Sequence, residues 1–540
     1  MRKILIALSI LILIAGGVWW FSRGSQIAEH HPAEKIVPRT QNVNELSETV
    51  PSGQVSLTDG AVFDLVMRPV SHTIAGRTIA LMGYNGSVPG PTFRVKQGSA
   101  ITLRLHNETE SPTTLHAHGV RMENAFDGVP GLTQTPVNSG QVFEYKLTFP
   151  DVGAFWYHPH VRTDFAVESG LYGMFVVEPS DVHYWPQADR TLPIMIDDIA
   201  LSESGLVPFD EKVATHTLMG RFGNVMFTNG SEMSNFPVQQ GEIVRLMFTN
   251  AANTRLFNLQ IPGIKFKLIG ADGGKYAEES WIQELLLAPG ERRIVDVLFE
   301  KSGSYALTHH SPEEQYPLGK FVVTANSVDP QKLKNFQALR PLDENIKNEF
   351  RSLFSMHGTR DPDKSIRLSM KMNSNMNMQG GMPHRMHMMS DGTLMSNDDM
   401  GMGGEGDAYE WEDTMSMMNT HSTSDTTTWQ IIDQSTNKVN MDINNWAFRV
   451  GDMVKIRIFN DPRSMHPMQH PIHFHGQRFV VLSTNGVANT APVWVDTVLI
   501  AKGDTVDILL EASNPGKWMA HCHILEHAES GMMFPFSVVE

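Results

Sequence analysis

The sequence predicts an all-β protein built from three related Greek-key β-sandwich domains. The chain has 540 residues, which is too many for one hydrophobic core, so two to four domains are expected. Short alternations of Val, Ile, Thr and Phe, separated by frequent Gly and Pro, are typical of β-strands joined by turns. Two strand motifs that each occur three times set the expected number of domains at three.

The first repeated motif is an alternating strand that follows a turn glycine and leads to an asparagine. It occupies residues 97–105, 240–248 and 450–458. The second motif is a strand opened by glycine, at Gly153, Gly303 and Gly516. Its fifth to seventh following residues read His-Pro-His, Thr-His-His and His-Cys-His in the three copies. One ancestral sandwich repeated three times is the simplest explanation of both motifs.

The repeats lead to predicted domains at 52–181, 191–327 and 341–540, after a linker at 25–51. The third domain is longer because of an insertion at 370–418, which carries 14 of the 32 methionines together with Asn, Gly, Asp and His. Such a composition cannot form a core of its own, so the insertion is expected to be a mobile or partly helical excursion.

Residues 1–24 are predicted to be a signal peptide or an N-terminal membrane anchor. Arg2 and Lys3 precede an apolar run at 4–21, which at about 1.5 Å per residue is long enough to span a bilayer. No convincing Ala-x-Ala cleavage site follows, and Trp19 and Trp20 suit a membrane interface. We therefore expect export to the periplasm, with residues 4–21 either removed or retained as an inner-membrane anchor.

The net charge argues against a nucleic-acid partner, and the cysteine content excludes a disulfide within the chain. A net charge of -16 argues against nucleic acid as a partner. The single cysteine permits no disulfide within the chain, so packing must stabilise the fold. A monomer is the expected state.

The single cysteine, Cys522, lies in the motif His-Cys-His-Ile-Leu-Glu-His at 521–527, and Met532 follows it by ten residues. A thiolate, two imidazoles and a weak thioether form the ligand set that a blue electron-transfer copper prefers. On an extended strand His521 and His523 share one face and Cys522 occupies the other. One strand could therefore serve two metal centres.

Three other segments, 115–119, 156–160 and 470–476, each contain His-x-His. Each such pair projects two imidazoles from one side of a strand, and the four pairs supply eight imidazoles, enough for a cluster of several coppers. One pair alone is weak evidence, but four pairs with a cysteine make chance implausible.

The middle domain is predicted to have lost its metal ligands. Thr308 stands where the other copies have the first histidine, and the segment 257–260 contains no histidine. His309 and His310 are therefore predicted to be surface residues. Copper is expected in the third domain and between the first and third domains.

These motifs resemble those of the multicopper oxidases, whose domains are cupredoxin-like, and the resemblance covers the whole exported chain. Within that family the chain is most similar to bacterial copper-efflux (cuprous) oxidases, which also carry a Met-rich insertion in the third domain. The resemblance implies four copper ions per chain. The implied type 1 ligands are His470, Cys522, His527 and Met532. The implied type 2 ligands are His116 and His473, and the implied type 3 ligands are His118, His158, His160, His475, His521 and His523.

The resemblance also implies one-electron oxidation of a substrate at the type 1 site, coupled to four-electron reduction of O2 to water. Asp127 matches the acidic residue that supplies protons in this family, although an Asp-Gly pair also forms turns. The family often has a second Glu directly after the type 1 histidine, where this chain has Ala528. Glu529, Glu526 or water could replace it.

The substrate is predicted to be Cu(I), because soft thioethers prefer that ion. Met468 matches a substrate-copper ligand of the cuprous oxidases and Met370 is similarly placed, while His466 stands where those enzymes have an acidic residue. One alternative is a laccase-like oxidase of phenols, other metal ions or small organic reductants. Another is a copper store or chaperone without turnover, and the Met-rich segment could also be a tolerated low-complexity loop.

Overall fold

The computed structural model describes residues 42–373, 386–388, 394–396 and 408–540. It is 10% helix and 47% strand, which confirms the predicted all-β class. The predicted signal or anchor segment, most of the linker, and residues 374–385, 389–393 and 397–407 of the predicted insertion lie outside the described residues. None of the helices described is long and apolar enough to cross a membrane.

The first domain is a sandwich of a four-stranded sheet, β3-β2-β5-β7, on a five-stranded sheet, β1-β4-β9-β8-β6. Its core includes Leu103 and Leu105 of one sheet and Phe93 and Phe175 of the other. The strands are β1 Gln54–Ser56, β2 Val62–Ile74, β3 Arg77–Tyr84, β4 Thr92–Lys96, β5 Ala100–Asn107, β6 His116–His118, β7 Val142–Thr148, β8 Gly153–His158 and β9 Gly173–Glu178.

The second domain packs a six-stranded sheet, β13-β10-β15-β20-β17-β18, on a five-stranded sheet, β14-β22-β21-β16-β19, beside the small pair β11-β12. The strands are β10 Arg190–Ile199, β11 Leu201–Ser202, β12 Gly205–Leu206, β13 Val225–Thr228, β14 Ser234–Gln239, β15 Ile243–Asn250, β16 Phe257–Gln260, β17 Phe266–Ala271, β18 Gly274–Ile282, β19 Leu285–Leu287, β20 Arg292–Leu298, β21 Gly303–His310 and β22 Gln315–Thr324.

The third domain packs β26-β23-β28-β33-β30-β31 on β27-β35-β34-β29-β32, and β24 and β25 form a separate pair. The strands are β23 Lys364–Met372, β24 Met386–Met388, β25 Leu394–Ser396, β26 Thr427–Asp433, β27 Ala447–Arg449, β28 Asp452–Asn460, β29 His470–Phe474, β30 Arg478–Thr484, β31 Val487–Ala488, β32 Thr497–Ile500, β33 Thr505–Ala512, β34 Gly516–Cys522 and β35 Met533–Val539.

The described helices are short and lie outside the sandwiches. Two of them, Pro330–Gln337 and Glu344–His357, lie between the second and third domains. The second begins where the Asp343 carboxylate accepts two backbone N–H groups, and its Phe350 packs against the third domain. The remaining α-helices are Thr163–Glu168, Ser416–His421 and Leu525–Glu529, and the 3-10 helices are Val43–Glu45, Asn124–Phe126 and Asn440–Asp442.

The two repeated motifs occupy equivalent places in the three sandwiches. Strands β5, β15 and β28 each pair with one strand in parallel and with another antiparallel. Strands β8, β21 and β34 each lie between two antiparallel neighbours. The repeats read from the sequence are therefore real structural repeats. The sheet pairs fall at 54–178, 190–324 and 364–539, one in each predicted domain, with the second beginning one residue before its predicted boundary.

Candidate metal centres

The first candidate centre contains the single cysteine. His470, Cys522 and His527 place one ligand atom each within 4.8 Å of one another. The Cys522 sulfur lies 3.5 Å from Nδ1 of His470 and 4.0 Å from Nδ1 of His527. The backbone carbonyl of Met532 accepts the Cys522 N–H at 3.0 Å. The Met532 side chain is buried in the hydrophobic core that contains Cys522. The structure thus brings the four predicted type 1 residues to one place.

The fold explains why these residues meet. His470 begins β29, Cys522 ends β34, and these strands are neighbours in one sheet, with Ile472 opposite Cys522. The helix Leu525–Glu529 starts directly after β34 and returns His527 to the sulfur. Local sequence spacing and one strand pairing are therefore sufficient to assemble the centre.

Burial controls the protonation of this centre. It raises the pKa of the Cys522 thiol well above its usual range. It lowers the pKa of His470 to about 3 and that of His527 well below its usual range. Both imidazoles are therefore neutral and keep a free lone pair, whereas the thiol must lose a proton before it can act as a ligand.

The second candidate centre consists of the eight remaining predicted histidines, which form one continuous cluster. Its closest ring pairs are His118 with His473, at 3.7 Å, and His116 with His475, at 3.9 Å. The predicted ligand assignment divides the cluster into two trios and a pair. In the first trio, His118, His158 and His523, ring centroids are 4.9, 5.6 and 6.0 Å apart. In the second trio, His160, His475 and His521, they are 5.1, 5.1 and 5.3 Å apart. The pair, His116 and His473, has a centroid separation of 5.9 Å. Each group combines residues of the first and third domains, at the junction where the sequence places the cluster.

The hydrogen bonds of these histidines leave nitrogen lone pairs directed into the cluster. In His116, His158 and His473 the Nδ1–H group donates to a backbone carbonyl, at 2.8, 2.9 and 2.8 Å respectively. Their Nε2 atoms are buried without a hydrogen-bond partner. Buried polar atoms without partners are costly, and an outward hydrogen bond that orients the ring is typical of metal-binding histidines. The residues present therefore fit bound metal ions.

Asp127 lies beside this cluster, as the sequence predicts. Its carboxylate is fully buried, accepts the Nδ1–H of His475 at 3.0 Å and lies 3.2 Å from Nδ1 of His116. Asp127 is also part of a turn, since Gly128 has φ +84° and a Cβ there would lie 2.2 Å from the Leu115 carbonyl oxygen. The turn places the carboxylate against the histidines, and the proton-relay role stays a prediction.

Glu529 and Glu526 hydrogen-bond to groups outside the histidine cluster. Glu529 accepts the backbone N–H of Thr163 at 2.8 Å, and burial followed by the charge of Asp164 raises its pKa to about 7. Glu526 is fully buried and accepts from the Asn253 amide at 2.8 Å. Burial raises its pKa to about 7 as well. Within the described part of the chain, neither carboxylate hydrogen-bonds to a cluster histidine, so a relay role for Glu529 gains no support from contacts.

A carboxylate that the sequence analysis missed also contacts the cluster. Asp496 accepts the Nε2–H of His118 at 2.9 Å and is paired with Arg292 of the middle domain. Burial alone would raise the pKa of Asp496, but the charge and hydrogen bonds of Arg292, with a smaller contribution from His118, hold it well below its usual range. Nothing in the local sequence around either residue resembles a motif, so only the three-dimensional structure reveals this contact.

The prediction that His309 lies on the surface is wrong. His309 is fully buried and its Nδ1 accepts the backbone N–H of Asn258 at 3.0 Å. It follows Gly303 by six residues, as Cys522 follows Gly516, and this strand position faces the core of the sandwich. His310 is only partly buried, and neither residue belongs to a potential metal-binding group among the described residues.

The two predicted substrate ligands lie in the hydrophobic core of the third domain. Met468 and Met370 are buried in the same hydrophobic core as Cys522. Met370 is paired across the sheet with Trp429, whose ring stacks on His527 at a centroid distance of 4.1 Å. Partly buried methionines pack against this core, namely Met372, Met415 and Met418. Residues 374–385, 389–393 and 397–407 of the Met-rich segment fall outside the described residues.

The fold and its two buried ligand clusters define a multidomain protein built to hold several metal ions. Family models for multicopper oxidases match residues 67–182, 199–326 and 410–540, which is more than half of the chain. The chain belongs to the multicopper oxidase family, and it is accordingly an oxidoreductase that uses copper.

Relatives and solved structures agree with this assignment. The chain is 23% identical over 461 residues to multicopper oxidase mco of Staphylococcus haemolyticus, covering 84% of this chain and 82% of that protein. It is 23% identical over 599 residues to copper resistance protein A of Escherichia coli, covering 89% and 93%. A multicopper oxidase from Campylobacter jejuni, described as a metallo-oxidase, has a TM-score of 0.65 at 23% identity, covering 93% and 99%. At this identity the structural likeness shows the fold.

Proposed function

We propose that this multicopper oxidase oxidises Cu(I) to Cu(II), reduces O2 to water, and thereby contributes to copper tolerance. The observation that carries the proposal is the burial of the cysteine centre in a hydrophobic core that also contains thioethers. His470 and His527 are 1% and 0% exposed, and Met370 and Met468 lie in the same core. Soft thioethers favour Cu(I) over harder cations. The similarity to proteins named copper resistance protein A supports this substrate.

The residues fit four copper ions per chain. When bound, these ions would supply one-electron oxidation at the cysteine centre and four-electron reduction of O2 at the histidine cluster. The proposed ligands at the cysteine centre are His470, Cys522, His527 and Met532. The proposed ligands at the cluster are His116 and His473 for one ion and the two histidine trios for the other two.

Strand β34 connects the two centres through very few bonds. The Cys522 side chain contacts the cysteine centre, while the adjacent His521 and His523 each belong to a different trio of the cluster. His521 also donates its Nδ1–H to the Cys522 carbonyl at 2.8 Å. This arrangement provides a short covalent and hydrogen-bonded path for electrons, and it holds the His521 Nε2 toward the cluster.

Trp429 and the middle domain cover the cysteine centre. The indole ring stacks on His527, lies 4.7 Å from the His470 ring centroid, and is fully buried. Its Nε1–H donates to the Thr217 carbonyl at 2.7 Å, which ties the third domain to the second. A phenol cannot reach either imidazole without displacing this cover. Met370 and Met468 offer thioether ligands to a small soft cation within the same core, which favours Cu(I) over a laccase-like substrate.

We predict that Met468→Leu lowers the rate of Cu(I) oxidation at limiting Cu(I) by at least about tenfold and leaves phenol oxidation unchanged. Leucine conserves the volume and apolarity of the side chain but removes the sulfur. The measurement is O2 uptake by copper-loaded protein with Cu(I) or a phenol as reductant. Met247→Leu, a buried substitution in the middle domain, is the matched control and is expected to change neither rate.

The same experiment separates the alternatives. Rapid phenol oxidation together with Cu(I) oxidation that is insensitive to Met468→Leu would favour a laccase-like oxidase. Absence of O2 uptake with either reductant, in protein with its full copper content, would refute an oxidase and favour a copper store.

We also propose that the protein is exported to the periplasm. The support is the basic start and the apolar run at 4–21, which have the composition of an export signal. Mass spectrometry of protein from fractionated cells tests this proposal. We expect periplasmic or inner-membrane protein, and a protein confined to the cytoplasmic fraction would contradict export.

A further inference from the structure

We propose that Arg292 is a positioning residue for the histidine cluster, which orients His118 through Asp496, a role that rests on the proposed copper sites. Arg292 belongs to the middle domain, Asp496 to the third and His118 to the first. The domain without copper ligands would thus determine how one ligand is presented.

The three side chains form a continuous buried chain of hydrogen bonds. Nη1 of Arg292 donates to Oδ1 of Asp496 at 2.7 Å, and Nη2 donates to Oδ2. Oδ1 of Asp496 lies 2.9 Å from Nε2 of His118. Arg292 and His118 are fully buried and Asp496 is 3% exposed. The bidentate geometry fixes the carboxylate in one orientation.

This contact determines which nitrogen of His118 faces the cluster. Both oxygens of the Asp496 carboxylate accept from Arg292, so Nε2 of His118 donates to Oδ1 and Nδ1 is the bare nitrogen. Nδ1 is buried without a partner. In His116, His158 and His473 the orientation is opposite, because Nδ1 bonds a backbone carbonyl and Nε2 faces inward. His118 is thus reversed relative to these three histidines, and it uses a side-chain acceptor where they use the backbone.

Arg292 is held by hydrogen bonds to residues of all three domains. Its Nε–H donates to the Ala154 carbonyl at 2.8 Å, and its backbone N–H donates to Asp272 at 2.9 Å. Asp272 also accepts the backbone N–H of Asp496, at 3.2 Å. A buried carboxylate without such a partner would be strongly destabilised. Arg292 therefore holds the Asp496 carboxylate in place as the acceptor for His118.

Gly119 provides an independent indication that the ion pair must approach His118 closely. It follows His118 with φ +81°, and a Cβ there would lie 2.2 Å from Oδ2 of Asp496 and 2.6 Å from Nη2 of Arg292. Any side chain at this position would displace the pair. Gly119→Ala therefore perturbs the contact while leaving both charged residues chemically intact.

Arg292→Lys tests the proposal, because lysine keeps the charge but cannot form the bidentate contact. We expect copper in the histidine cluster to bind about 10 to 100-fold more weakly, the usual effect of removing a hydrogen-bond partner behind a ligand. The measurements are copper per chain after dialysis against a graded chelator, and electron paramagnetic resonance of the non-blue copper. The blue absorption of the Cys522 centre is expected to persist and reports that the fold is intact.

Arg245→Lys is the matched control. Arg245 also makes a bidentate contact with an aspartate, donating from Nε and Nη2 to Asp296 at 2.8 and 2.9 Å. It is buried and lies within the middle domain. The Arg245→Lys variant is expected to retain full copper in the cluster. Gly119→Ala is expected to lose copper from the cluster while keeping the blue copper, as Arg292→Lys does.

Two results would overturn the proposal. Full cluster copper in Arg292→Lys would show that Arg292 does not position His118. Equal loss of copper from both centres, accompanied by a lower unfolding temperature, would show a purely structural role. Parent protein that binds no copper at the cluster would refute the proposed function as well, so the two failures are distinguishable.

Discussion

Cys522→Ser is expected to abolish the blue absorption of the copper-loaded protein and to lower O2 uptake by more than about 100-fold. Loss of a hydrogen-bond partner behind a metal ligand costs up to about 100-fold in activity, and loss of the ligand itself should cost more. The sulfur is the one soft anionic ligand of the centre, 3.5 and 4.0 Å from its two imidazole neighbours. A serine hydroxyl is a poor replacement, because it remains protonated and is a hard donor. Serine differs little in size, so the sandwich is expected to remain folded.

Visible absorption, copper per chain and O2 uptake measure these effects. Copper held by the histidine cluster is expected to remain, because no cluster ligand is changed. Met519→Leu provides a control on the same strand, since Met519 is buried on β34 but is not a proposed ligand. A blue protein with normal turnover after Cys522→Ser would refute the proposed electron-transfer path.

The fold could be predicted because its signals are local and repeated. The alternation of side chains and the opening glycines of β8, β21 and β34 recur at matching positions. Strand geometry also determined that Cys522 would face away from His521 and His523. The assembled ligand groups follow from these faces, since all eight cluster histidines come from four His-x-His pairs.

Two features could not be predicted, for different physical reasons. His309 was expected at the surface because the middle domain lacks the other copper-ligand positions, yet its strand position faces the sandwich core, where Asn258 satisfies Nδ1. The contact of His118 with Asp496 and Arg292 joins three domains across long sequence separations. A single sequence contains no local pattern for such a contact.

The middle domain contacts both candidate centres, although it contributes none of their proposed ligands. Thr217 accepts from the indole that covers the cysteine centre, and Arg292 holds the carboxylate behind the cluster. Asn253 bonds Glu526, on the helix that carries His527. We infer that this sandwich supports both centres from outside.

Asp127→Asn is expected to lower O2 uptake by at least about 100-fold without changing the blue absorption. This factor is the smallest that a general acid or base typically contributes to a rate. The Asp127 carboxylate accepts from His475 and lies 3.2 Å from Nδ1 of His116. An asparagine side chain offers one acceptor oxygen instead of two and cannot exchange a proton near neutral pH. The substitution therefore weakens the orientation of the rings and removes the predicted proton donor together.

O2 uptake across a range of pH, with the blue absorption as an internal reference, measures the effect of Asp127→Asn. Asp433→Asn is the matched control, because Asp433 is equally buried but accepts the Trp446 indole N–H, at 2.9 Å, instead of a histidine N–H. Parent-like turnover in Asp127→Asn would eliminate the carboxylate as a proton donor. An equal loss in Asp433→Asn would show that the effect arises from removing any buried carboxylate. A loss confined to Asp127→Asn would localise proton supply to the side of the cluster where His116 and His475 lie.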